Sequence, residues 1–165
     1  MIEVEVTNQT DDMSIDSQRL VHAVEAVFAS ESITSAEISI AIVDDARIHE
    51  LNRRFLDHDY PTDVLSFPLS TDNQPLQGEI AVSLDTARSH AARFNASTHD
   101  ELLLYVVHGT LHLVGYDDKD PAAAGRMQAR QNEVLRELGV EPPAPDVEIA
   151  DHDACDDVST CKEAT

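Results

Sequence analysis

A chain of 165 residues, 42% of them hydrophobic, is long enough to bury one real core, and with no tryptophan and few other aromatics that core must be packed mainly by aliphatic side chains. The net charge of −21 argues against a nucleic-acid binder that works through a broad positive field. No apolar run approaches the ~20 residues of a membrane span, and MIEVEVTNQTDDM has neither the basic nor the apolar region of a signal peptide, which together predict a cytoplasmic protein.

IEVEVTN (2–8) alternates apolar and acidic residues and predicts a strand. From Asp16 the spacing becomes helical, with Leu20, Val21, Val24, Val27 and Phe28 on one face and Asp16 or Ser17 as the cap. EISIAIV (37–43) is β-branched and predicts a buried strand. DDARIHELNRRFL (44–56) returns to helical spacing, with Ile48, Leu51 and Phe55 expected inward. YPTDVLSFPLS (60–70) carries a proline at each end of a short apolar stretch, and Pro68 makes an edge strand the natural assignment. After the polar turn TDNQPLQ, GEIAVSL (78–84) predicts a further strand, followed by a helix from Asp85 to Asn95. THDELLLYVVHGTLHLVG (98–115) is the longest apolar helix, and its acidic first turn suits the helix dipole. A last helix spans KDPAAAGRMQARQNEVLRELG (119–139), with Pro121 near its start and Gly139 at its end. Strands interleaved with helices predict a single α/β or α+β layer domain over 1–140.

Residues 141–165 hold eight acids and one lysine and predict an acidic, disordered tail. The body before them is itself acidic, with 24 acids against ten basic residues. Both cysteines, Cys155 and Cys161, lie in that tail. Their C-x5-C spacing lacks the four ligands of a zinc ribbon, so they read as an ordinary reduced pair.

The chemistry concentrates in HGTLHLVGYDD (108–118). Residues four apart share a helix face, so His108 and His112 can aim their imidazoles at one cation. Such a pair is common on protein surfaces. Here its neighbours Leu103, Leu104, Val106, Val107, Leu111 and Leu113 would force two unpartnered histidines out of water. Gly115 falls where the helix should stop, and the reversed chain brings Asp118 back towards the pair. Two histidines and a carboxylate form an accepted catalytic zinc set that leaves a position open; iron, nickel or manganese can occupy the same donors. Helical zinc peptidases place a glutamate directly after the first histidine, and this chain has Gly109 there, which argues against peptide hydrolysis.

HGTLHLVGYDD resembles the H-G-x-L-H-L-x-G-Y-D-H signature of the YbeY family, metal-dependent endoribonucleases of bacterial ribosomal RNA maturation. PTDVLSFP (61–68) resembles the family's second signature, GEIAVSLDTA (78–87) its G-[DE]-I strand, and LNRRF (51–55) also fits. The resemblance covers residues 1–140. It implies a mixed sheet of about four strands with surrounding helices, an α+β fold, and zinc bound by three histidines. It also implies processing of the 3′ end of small-subunit ribosomal RNA, a part in ribosome quality control, and ribosomal or small-subunit protein partners, with no DNA or membrane expected.

Two positions depart from that pattern. Asp118 replaces the third histidine, while Asp117 matches the aspartate before it. The family's usual arginine after the LN element falls at Leu56, with Arg53 and Arg54 just upstream. A carboxylate in place of an imidazole lowers the charge of a metal site by one unit, so the site should acidify water and polarise a phosphoryl oxygen less strongly. The expected centre is therefore one zinc ion on His108, His112 and Asp118, with Arg53 or Arg54 as the catalytic cation. Thr62, Asp63 and Ser66 are expected near it or shaping the edge strand, and Glu79 on the strand surface. His90, His99 and His152 are expected on the protein surface. The competing class is a ribosome-assembly or RNA-chaperoning factor with a structural metal, favoured by the negative body and the absent arginine.

Overall fold

A computed structural model describes residues 1–58, 62–70 and 75–143. The expected tail, with Cys155, Cys161 and His152, lies outside the described residues from 144 onward. Among the described residues the chain forms strands β1 (Ile2–Asn8), β2 (Ala36–Val43), β3 (Val64–Pro68) and β4 (Leu76–Ser83). Its helices are α1 (Ser17–Ser30), α2 (Asp45–Leu56), α3 (Leu84–Arg93), α4 (Thr98–Leu113) and α5 (Pro121–Glu137). The sheet order is β1-β2-β4-β3; β1–β2 and β2–β4 are parallel, while β3 runs antiparallel to β4 at the edge, where Pro68 is tolerated. The mixed α+β fold agrees with the expectation.

Local chemistry sets the helix starts. The side chains of Asp16, Asp44, Ser83, Ser97 and Asp120 each accept a hydrogen bond from a backbone N–H of the following first turn. Successive strand residues face opposite sides of the sheet, and the core divides accordingly. Ile38, Ile40, Ile42, Val64, Ile80 and Val82 pack with α1, α4 and α5 in the main cluster. Val43, Leu65 and Ala81 pack with Ile48 and Leu56 of α2 in a smaller one. α2 therefore lies across the sheet from α4. Among the described residues no helix is long and apolar enough to cross a membrane.

Two expected orientations are corrected. Phe55 was expected inward on α2 but is 57% exposed; the buried residues of that helix are Ile48, Asn52 and Leu56. Spacing alone allowed either stripe, and the polar Asn52 hid the true one. His90 was expected at the surface and is buried on α3 against the ring of Phe94. Burial, followed by the charge of Arg93, lowers its pKa below the ordinary imidazole value.

Candidate metal centre

α4 is buried nearly all round, with residues 102–111 and Leu113 out of solvent. Such a helix tolerates histidines only where they have polar work. His108 is 1% exposed, and its Nε2 lies 3.2 Å from Nε2 of His112. The rings meet edge to face, with centroids 4.7 Å apart.

The other nitrogen of each ring decides which atoms are donors. His112 Nδ1 is 3.1 Å from the backbone oxygen of Tyr116. A carbonyl only accepts, so Nδ1 carries the proton and donates, leaving a lone pair on Nε2. His108 Nδ1 likewise lies 2.9 Å from Gln131 Oε1. Each ring thus turns its Nε2 towards the other across 3.2 Å, and these are the two atoms that a shared cation would take.

The helix stops at Leu113, and Gly115 takes φ +111°, a conformation that side-chain-bearing residues rarely adopt. Backbone bonds from Gly115 N to His112 O (3.1 Å) and from Tyr116 N to Leu111 O (3.0 Å) close the turn. The turn separates the two aspartates by role. Asp117 Oδ1 accepts from Lys119 N at 3.1 Å. Asp118 instead offers its carboxylate to the histidines, so that one ligand atom from each of His108, His112 and Asp118 lies within 4.8 Å of the others. Tetrahedral zinc with bonds of about 2.0–2.1 Å spaces its donors about 3.3 Å apart. The imidazole pair already has that spacing, and a half-buried carboxylate on a turn can close the remainder. Two neutral nitrogens and one carboxylate therefore suit a divalent cation, and the glycine bend unites the three expected ligands.

The second sequence signature supports this helix from the sheet. Ser66 Oγ donates to Gly109 O at 2.9 Å, joining β3 to α4 between the two histidines. Thr62 and Asp63 are fully buried, and Asp63 Oδ1 accepts from Val64 N at 2.7 Å. A Cβ added at Gly109 would meet Ser66, Ile80 and Val64. Position 109 thus faces the sheet, and a glutamate there could not serve the cation as it does in peptidases.

Arg53 and Arg54 are exposed in the last turn of α2. Arg54 lies 3.8 Å from Glu50 and stacks over Phe55, 5.3 Å from the ring centroid. Leu56, where the family resemblance calls for an arginine, is 7% exposed and packs in the smaller cluster. Glu79 is exposed as expected and lines a groove of about 470 Å³ on the α2 side of the sheet with Leu51, Phe55, Phe67 and Arg47. That groove contains none of the three ligands. His99 is half-buried, and its Nε2 accepts from Asp16 N at 3.0 Å. Sequence reasoning missed Gln131; its detectable signal was a polar residue on the buried stripe of Met127, Val134 and Leu135.

Fold and site together define an α+β fold in which one buried helix and its closing turn bring together three side chains that could hold a metal ion. A family model described as Endoribonuclease YbeY matches residues 5–139. Proteins with that name are 38% identical in Rhodopirellula baltica, covering 87% of this chain and 84% of the relative, and 37% identical in Salinibacter ruber, covering 79% and 87%. A Thermotoga maritima protein solved in solution matches with TM-score 0.57 and 29% identity over 90% of this chain and all of that one. The chain belongs to the Endoribonuclease YbeY family.

Proposed function

We propose that this chain is a metal-dependent endoribonuclease that cleaves single-stranded ribosomal RNA at the 3′ end of the small-subunit species. In this reading it works in the cytoplasm with the ribosome or small-subunit proteins as partners and serves ribosome quality control. The observation that carries the reading is the convergence of His108, His112 and Asp118 in a chain of this family. Zinc is the proposed cation, and when bound it supplies Lewis-acid polarisation of the phosphodiester and activation of the attacking oxygen.

The chain's own residues do the rest. His108 and His112 present Nε2 lone pairs whose direction is fixed by bonds at Nδ1. Asp118 adds negative charge that partly neutralises the cation. Ser66 holds the helix against β3, so the donors start from a rigid base. Arg53 and Arg54 are the proposed cations for the scissile strand: both are exposed, on the helix that precedes the Thr62–Ser66 signature in sequence. Replacing both with alanine should slow cleavage without changing zinc affinity.

The direct test incubates the zinc-loaded full chain with a single-stranded ribosomal RNA fragment, with and without chelator, beside His112→Ala. Cleavage that disappears on chelation and in the variant supports the proposal. Absence of cleavage by the zinc-bound wild type overturns it in favour of an assembly factor with a structural metal, the reading that Leu56 at the arginine position favours. Cleavage that survives both treatments indicates a contaminating nuclease and equally removes the assignment.

A further inference from the structure

The geometry points to Gln131 of α5 as the positioning residue of the metal centre, the side chain that sets which nitrogen of His108 faces the cation. This rests on the metal-dependent reading above and goes beyond it by giving α5 a part in the site. Gln131 is 2% exposed and shares its buried stripe with Ala123, Met127, Val134 and Leu135. A primary amide buried there is destabilising unless it is hydrogen-bonded. Its Oε1 is committed to His108 Nδ1 at 2.9 Å.

That contact selects between two imidazole tautomers. With the Nδ1 proton donated to Gln131, the lone pair sits on Nε2, the atom 3.2 Å from His112 Nε2. Without an acceptor at Nδ1, the neutral ring is free to carry its proton on Nε2, where it opposes a cation. His112 receives the same service from the Tyr116 backbone oxygen, which no substitution removes. His108 depends on a side chain. A neutral amide also orients the ring without adding a charge to a site that already contains Asp118.

The placement of α5 is itself secured. Arg130, the preceding residue, bonds Glu31, the residue that caps the C-terminal end of α1, at 3.0 Å and Glu133 at 2.8 Å. The Tyr116 hydroxyl donates to the same Glu31 at 3.0 Å. One clamp thus registers α5, and with it Gln131, against the turn that orients His112.

The test measures zinc affinity of the full chain by chelator competition for wild type, Gln131→Met and Gln131→Glu. The visible spectrum of the cobalt-substituted proteins and their Tm are recorded alongside. Methionine preserves volume and removes the acceptor, so affinity should fall about 10–100-fold, as for loss of other outer-shell partners. Glutamate retains an acceptor and should restore binding. Imidazole ¹⁵N spectra of the zinc-loaded wild type should show His108 bonded through Nε2 with a protonated Nδ1, a readout independent of whether a variant folds. Wild-type affinity and cobalt spectrum in Gln131→Met, or ligation of His108 through Nδ1, overturns the role of Gln131. Wild type that binds no zinc overturns the metal centre itself, and the positioning role with it.

Discussion

Gly109→Ala should destabilise this protein although alanine is the better helix former. The glycine lies between the two histidines of α4. A Cβ there would stand 2.9 Å from Ser66 Oγ and 3.2 Å from methyl carbons of both Ile80 and Val64. Ser66 can rotate away only by losing its bond to Gly109 O, worth about 0.5–1.5 kcal/mol. Ile80 and Val64 are β-branched side chains on paired strands, stiff at χ1. Overpacking of such a site costs about 1–3 kcal/mol, and helix propensity returns roughly 1 kcal/mol. The net loss is about 0.5–3.5 kcal/mol, and Tm should fall by roughly 2–4 °C for each kcal/mol.

Gly125→Ala supplies the opposite sign from the same chemical change. Gly125 is inside α5 with nothing within 4 Å of an added Cβ, so this variant should gain about 0.5–1 kcal/mol. Calorimetry of both variants and of Ser66→Ala/Gly109→Ala completes the assay. The double variant should lose less than the sum of its parts, because Ser66→Ala removes the nearest obstructing atom. Gly109→Ala as stable as wild type would refute the close packing of α4 on β3 and β4.

Zinc at 100 times its Kd should stabilise the wild type by about 2.7 kcal/mol, reversibly with chelator. Asp118→Ala should weaken zinc binding by more than the roughly 10–100-fold of an outer-shell loss; unchanged affinity would remove Asp118 from the ligand set. His90, with its lowered pKa, binds fewer protons folded than unfolded, so its contribution is complete above a pH of about 6.5 and declines as pH falls towards the folded value. His90→Gln should therefore narrow its Tm gap to wild type, in wild type's disfavour, between about pH 7.5 and about pH 5.5 (about one unit either side of the ordinary value), and a pH-independent gap would contradict it. RNA binding that uses only Arg53 and Arg54 should weaken with salt at a slope near −1.4 in log–log terms, about −0.7 for each phosphate contact. A much steeper slope would mean that other cations take part.

The strands, the Asp16 cap of α1 and the histidine pair were legible because each depends on a short run of residues. Alternation in IEVEVTN marks a one-sided strand, and a buried i,i+4 histidine pair needs a polar purpose wherever it occurs. Asp118 was legible through Gly115, whose φ of +111° is what returns the chain. Phe55 and His90 were not legible, since helical spacing gives a stripe but not the partner it meets: α2 turns Asn52 and Leu56 inward, and α3 turns His90 inward. Gln131 was hidden for the same reason on a larger scale, because its partner His108 is 23 residues away and on a different helix.

The two departures from the family pattern act in the same electrostatic direction. Asp118 brings a negative charge to the histidine pair, and Leu56 contributes packing with Val43, Ile48, Leu65 and Ala81 where an arginine could have faced phosphate. Four arginines elsewhere are engaged with the chain's own acids: Arg19 with Asp100, Arg47 with Glu50, Arg88 with Asp12, Arg130 with Glu31. These engagements are not equal. An exposed ion pair is worth about 0–1 kcal/mol, so Arg54, 63% exposed and 3.8 Å from Glu50, can exchange that partner for a phosphate at little cost. Arg130 holds Glu31 and Glu133 at once and registers α5, so the same exchange there would loosen the support of His108. A polyanion approaching this acidic surface therefore gains more from the exposed Arg53 and Arg54 of α2 than from Arg130, whose two acid partners hold α5 in place.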